Sequence, residues 1–67
     1  MFSKEKTLKF MDRLIARAVI KRDEARAEKE KYEFGTLDYV LADNHETLQM
    51  GYIMGLEHGK QAIKDMD

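Results

Sequence analysis

The sequence predicts an all-α protein, a hairpin of two long helices that pairs with a second copy as a homodimeric helical bundle. The chain has 67 residues, of which 43% are hydrophobic and 37% are charged, and it contains no proline and no cysteine. No glycine occurs before Gly35, so strong helix formers run unbroken up to one expected turn. A chain of this size forms a single helical domain, residues 1–67, and small domains without disulfides often gain stability by association.

The first helix is expected to run from residue 3 to about residue 33, with Ser3 as its N-cap. Mostly apolar residues recur along it at alternating spacings of three and four, which predicts a stripe that contacts another helix. This stripe consists of Leu8, Met11, Ile15, Ala18, Arg22, Ala25, Lys29 and Tyr32. The charge run at residues 21–31 is interpreted as a solvated face of the same helix.

A turn is expected at residues 34–36, where Gly35 suits a left-handed backbone and Thr36 can cap a second helix at residues 37–65. Residues 36–40 alternate in polarity, so a short strand there is the alternative. The segment from Asp43 to Glu46 has the form of a capping box, which leaves open a kink or a third helix start near residues 43–44.

The second helix has a glycine at every fourth position of its C-terminal half. Each glycine costs about 1 kcal/mol relative to alanine in a helix interior, so this repetition favours close approach of another helix. A stripe on the same helix, at alternating spacings of four and three, is mostly apolar or small: Leu41, His45, Leu48, Tyr52, Gly55, Gly59, Ala62 and Met66. We predict an oligomer interface that consists of Leu48, Gly51, Tyr52, Gly55 and Gly59.

Other faces of this helix also carry large apolar residues, namely Met50, Ile53, Leu56 and Ile63. A helix that is apolar nearly all round is normally buried on more than one side. Two hairpins that form a four-helix homodimer are the simplest solution. A trimer, a tetramer and an obligate hetero-complex are the alternatives, and the packing of the subunits can be parallel or antiparallel.

The net charge of −1 hides an asymmetry, because residues 1–31 carry +4 and residues 32–67 carry −5. Two helices of opposite charge attract each other when they fold together, and this interpretation is favoured over a basic face that serves an acidic partner.

The polar face of the first helix is cationic and also carries large apolar side chains. Arginine beside aromatic and aliphatic groups is typical of a protein-binding hot spot, which predicts a partner-binding surface of Phe10, Arg13, Arg17 and Ile20. Nucleic acid is the alternative partner, bound through Lys6, Lys9, Arg13, Arg17 and Lys21. The isoelectric point near 6.1 weakens that alternative.

The sequence contains no recognisable catalytic pattern. The two histidines, His45 and His58, fall on separate helix faces, and Ser3 is the sole serine, so we expect no enzyme, no metal site and no cofactor. No apolar stretch approaches the roughly 20 residues of a transmembrane helix, and no signal-peptide pattern is present. The expectation is therefore a cytoplasmic, non-enzymatic interaction or regulatory protein.

Overall fold

The computed structural model describes residues 3–66 and contains two helices, α1 at Lys4–Lys29 and α2 at Leu37–Lys64. The helices run antiparallel and contact each other in a rod that measures 50 × 15 × 14 Å. No strand occurs among residues 3–66. The predicted all-α hairpin is therefore confirmed, and the strand alternative at residues 36–40 is wrong because α2 begins at Leu37.

Both helices begin at the predicted caps. The hydroxyl of Ser3 accepts a hydrogen bond from the backbone N–H of Lys6 at 3.3 Å, and the hydroxyl of Thr36 accepts one from the N–H of Tyr39 at 3.2 Å. Each bond satisfies a backbone donor that the helix leaves without a partner.

The first helix ends at Lys29, four residues before the predicted end at residue 33. Glu33 and Thr36 are joined by a turn bond of 3.2 Å, and Gly35 between them has a φ of 88°. A β-turn alone is too short to join two packed helices, because its ends lie less than about 7 Å apart, whereas packed helix axes are about 8–10 Å apart. The connection therefore takes residues 30–36 rather than residues 34–36.

The second helix is continuous through residues 43–44, so the kink or third helix start considered there is not formed. The capping-box residues do not cap a helix. Asp43 and Glu46 instead accept hydrogen bonds from Lys29, at 3.0 and 2.7 Å.

The contact between the helices uses the predicted stripe of α1. Every member from Leu8 to Lys29 is buried or half-buried, and Tyr32 lies beyond the helix and is exposed. The contacting side of α2 alternates spacings of three and four through Tyr39, Ala42, Glu46, Gln49, Ile53, Leu56, Lys60 and Ile63. The apolar and small stripe predicted on α2 lies about 100° round the helix from this side, so it is not the stripe that α2 packs against α1.

Of the predicted interface glycines, one meets the other helix of its own chain. A Cβ placed on Gly59 would lie 2.9 Å from the Cε of Met11, whereas a Cβ on Gly51 or Gly55 would have nothing within 4 Å. The close approach predicted at Gly51 and Gly55 is therefore not made within the hairpin, and both positions are open to another chain.

Candidate interaction surface

A shallow groove runs along one side of the hairpin between the two helices. Its α2 wall comprises Leu41, His45, Leu48 and Tyr52. Its α1 wall comprises Leu14, Arg17, Lys21, Glu24 and Glu28. Lys21 borders both hollows of the groove, so the groove is continuous.

The α2 wall is largely apolar and open to solvent. Leu48 is 72% exposed, Leu41 is 57% exposed and Tyr52 is 48% exposed. A contiguous exposed apolar surface of this kind is typical of an interaction site in a soluble protein.

The α1 wall changes the sign of its charge along its length. Arg17 and Lys21 form a basic half, and Glu24 and Glu28 form an acidic half. The Tyr32 hydroxyl donates to Glu28 at 2.7 Å. This bond, followed by the bond from Lys31, lowers the pKa of Glu28 below its ordinary value and keeps it anionic.

The predicted partner-binding residues lie together on the exposed side of α1. Phe10, Arg13 and Arg17 border one hollow beside the groove, and Ile20 borders the next one with Arg17. Phe10 is 54% exposed and Ile20 is 58% exposed.

The two predicted surfaces adjoin, and the sequence alone does not show this proximity. Arg17, assigned to partner binding, borders the same hollow as Leu48 and Tyr52, assigned to the oligomer interface. The packing of α1 on α2 creates this proximity, because the residues are more than thirty positions apart in the chain.

The cations named for nucleic acid also share one exposed face. Lys6, Lys9, Arg13, Arg17 and Lys21 are all exposed on α1. They span about 22 Å along the helix, at a rise of about 1.5 Å per residue. Lys9 pairs with Glu5 at 3.3 Å on the helix surface.

A charge cluster around the buried Glu46, near the connection, was not predicted from the sequence. Glu46 is 6% exposed, and its carboxylate accepts hydrogen bonds from Lys29 and from Arg26, both at 2.7 Å. Asp43 accepts a second bond from Lys29 at 3.0 Å. A signal was present in the sequence, since acidic residues of α2 were available to face the charge run of α1.

The hydrogen bonds of this cluster favour the charged forms of Glu46, Lys29 and Arg26. The bonds from Lys29 and then Arg26 lower the pKa of Glu46, and the bonds to Glu46 and then Asp43 raise the pKa of Lys29. The bond to Glu46 also raises the pKa of Arg26. Glu46, Lys29 and Arg26 are therefore ionised near neutral pH, and their charge-assisted hydrogen bonds tie the two helices together.

Within residues 3–66, no three His, Asp, Glu or Cys side chains gather in a way that suits a metal ion. Neither described helix combines the length and the apolar character needed to span a bilayer. Compared with protein-family models, with curated proteins and with solved structures, the chain matches none of them.

Proposed function

We propose that the chain is a small non-enzymatic interaction protein that self-associates and binds a partner protein, as a regulator or an assembly factor. The observation that carries the proposal is the large amount of apolar side chain left uncovered. Three apolar residues are buried in the described part of the chain, Ala18, Ala25 and Ile53. Leu37, Leu41, Leu48 and Phe34 are each more than half exposed.

The accessible surface supports self-association. The hairpin exposes 5304 Å², whereas a compact folded monomer of 7.9 kDa exposes about 4,400 Å². The excess of about 900 Å² is close to the roughly 800 Å² that each partner buries in a standard protein interface.

The partner surface is the exposed side of α1. Phe10 and Ile20 supply apolar anchors, and Arg13 supplies a planar donor group that suits carboxylates and backbone carbonyls. An acidic or mixed protein surface fits this combination, because the net charge of residues 1–31 is +4.

The first experiment is a measurement of solution mass by light scattering behind a sizing column. Over about a hundredfold range of concentration, a dimer holds a mass of about 16 kDa, twice the chain mass of 7.9 kDa. A folded monomer at every concentration would contradict the self-association in the proposal.

A photo-crosslinking amino acid at Ile20 tests the partner. In cells that express the chain, we expect a crosslink to another protein, and we expect Arg13→Glu to abolish it. The control carries the same crosslinker at Gln61, an exposed position on α2. Identical crosslinks from both positions would show that the surface around Ile20 is not specific.

The cytoplasm is the proposed place of action. A chain of 67 residues without cysteine lacks the disulfides that stabilise many small secreted domains. Recovery of a tagged copy from the medium or from a membrane fraction would contradict this assignment.

A nucleic acid is the second candidate partner, and the specific observation in its favour is the row of five exposed cations on α1. Phosphate contacts release counterions, so binding of a labelled DNA duplex should weaken by tenfold or more between about 50 and about 200 mM salt. Binding that is absent at the lower salt concentration, or that does not depend on salt, excludes this candidate. An Arg13→Glu/Arg17→Glu variant that stays folded and keeps every binding activity would contradict both candidates.

A further inference from the structure

We infer that the groove between α1 and α2 is covered by a second copy of this chain, seated antiparallel, with a two-fold axis that crosses the hairpin at the level of Leu48. The inference rests on the proposed self-association and specifies its geometry. In this arrangement each α2 lies on the α2 of the second copy, and each α1 lies on the α1 of the second copy.

One exposed ridge of α2 is complementary to itself when it is reversed. It consists of Leu41, His45, Leu48, Tyr52 and Gly55. Bulky residues occupy its first half, and glycine occupies its second half. Antiparallel packing about Leu48 places Leu41 opposite Gly55 of the second copy, where a Cβ has nothing within 4 Å in the single hairpin. The same register places Leu48 against Leu48 of the second copy, and it places His45 beside the second copy's Tyr52, offset by one residue along the helix. The bulky Leu41 thus faces a glycine, which leaves room for its side chain, as close packing requires.

The α1 wall of the groove is complementary to itself in the same sense. Its charged residues alternate spacings of four and three, and they change sign between Lys21 and Glu24. Reversal about that point brings Lys21 opposite Glu24 of the second copy, and it brings Arg17 opposite the second copy's Glu28. Opposite charges that face each other across an interface fix its register and disfavour other registers.

The two helices give the same position for the axis. Contacts within the hairpin show which residues lie level with each other: Met11 with Gly59, Arg26 with Glu46, and Lys29 with Asp43. The residue numbers in these pairs add to between 70 and 72. The midpoint between Lys21 and Glu24 therefore lies level with Leu48, so a single two-fold axis satisfies the charges of α1 and the side-chain sizes of α2.

The other two-fold arrangement, with the axis along the helices, lacks this complementarity. It would place α1 on the α2 of the second copy at the same level. By the pairing found within the hairpin, Lys21 would then lie level with Met50, and Glu24 with Thr47. No opposite charge meets the α1 wall in that arrangement.

The antiparallel dimer also divides the cationic side of α1. Arg17 and Lys21 belong to the interface between the copies. Arg13 and Ile20 lie farther round the helix and stay outside, where the proposed protein partner binds. Phe10 lies at the edge of the interface, level with the connection of the second copy and its Phe34, which is 87% exposed in the single hairpin.

Cysteine crosslinking tests the axis directly, because the sequence contains no cysteine. In the antiparallel dimer, Leu48→Cys brings two thiols together at the axis, and we expect mild oxidation to convert most of the protein to a covalent dimer. The matched control is Thr47→Cys, which is exposed on another face of the same helix. A Leu48→Cys dimer that forms no faster than the control would overturn the inference.

Charge exchange across the groove provides the second test. One variant carries Arg17→Glu and Lys21→Glu, so that its α1 wall is wholly acidic, and the other carries Glu24→Lys and Glu28→Lys, so that its wall is wholly basic. We expect each variant alone to dimerise at least tenfold more weakly than the unmodified chain, and we expect the equimolar mixture to form a heterodimer. Two variants that self-associate normally, or a mixture that stays monomeric, would contradict the register.

The outcomes separate the inference from the proposed function. An unmodified chain that is monomeric at every concentration contradicts self-association itself. An unmodified chain that is dimeric, with a Leu48→Cys variant that does not crosslink, leaves the proposed function standing and overturns this geometry alone.

Discussion

Lys29 and Glu46 lie 2.7 Å apart across the hairpin, measured from the Nζ of Lys29 to the Oε1 of Glu46. Each of the two residues belongs to the contact stripe of its helix. Arg26 approaches the same carboxylate at the same distance. Near the connection the hairpin is therefore held by charge as well as by the buried side chain of Ala25. A single carboxylate satisfies two cations there, so its removal leaves both without their main partner.

Glu46→Gln tests this role. We expect a folded helical protein whose Tm falls by about 4–8 °C, since the amide cannot balance the charges of Arg26 and Lys29. Thermal unfolding followed by circular dichroism measures the change. The control is Glu57→Gln, an exposed carboxylate on the same helix, and equal effects of the two substitutions would contradict the assigned role.

The pH dependence of stability follows from the same cluster. The bonds from Lys29 and Arg26 lower the pKa of Glu46 below its ordinary value of 4.5, so its contribution is fully present above about pH 4.5 and is lost as the pH falls further. The pKa of Lys29 is raised above 10.5, so its contribution is complete below that pH and is lost only at higher pH.

We therefore expect the Tm to be nearly constant between about pH 5 and about pH 10 and to fall in acid. Glu46→Gln should flatten the acid side of this profile at constant protein concentration. An acid limb that is unchanged by the substitution would show that other carboxylates cause it.

The sequence predicted the elements better than it predicted their faces. Ser3, Gly35 and Thr36 mark local backbone chemistry, which does not depend on the rest of the fold, and all three occupy the expected positions. The contact stripe of α1 was also predicted, because its polar side is strongly charged. In α2 two different stripes show helical spacing. The more apolar of the two was predicted to contact another helix, but α2 contacts α1 through the other stripe.

The stripe that α2 does use includes Glu46, Gln49 and Lys60. Such polar residues indicate a solvent-exposed face of a helix unless the opposite helix is known to carry partners for them. Lys60 pairs with Asp12, and Glu46 pairs with the last turn of α1. Sequence periodicity alone cannot supply this information, because it describes each helix separately. The basic and apolar surface of α1 could be predicted without knowledge of the opposite helix, because all of its residues lie on one helix.

The same glycine-to-alanine change should have opposite effects at two exposed positions. Gly35 has a φ of 88°, so Gly35→Ala should destabilise the protein by about 1–2 kcal/mol. Gly51 lies inside a helix with nothing within 4 Å of an added Cβ, so Gly51→Ala should stabilise it by about 1 kcal/mol. Urea unfolding of the two variants measures both changes. Effects of the same sign would show that one of these backbone environments differs from the structure.

Gly55→Leu should separate the stability of the hairpin from its association. Within one chain the new side chain meets open space and leucine is a better helix former than glycine, so helicity should not fall. In the antiparallel dimer the same side chain meets Leu41 of the second copy, and overpacking should weaken association at least tenfold. The control is His58→Leu, which adds a leucine at another exposed position of α2 and should leave the solution mass unchanged. Light scattering over a dilution series distinguishes the two variants. A Gly55→Leu protein that dimerises as tightly as the control would show that the glycine half of α2 faces solvent in the assembly.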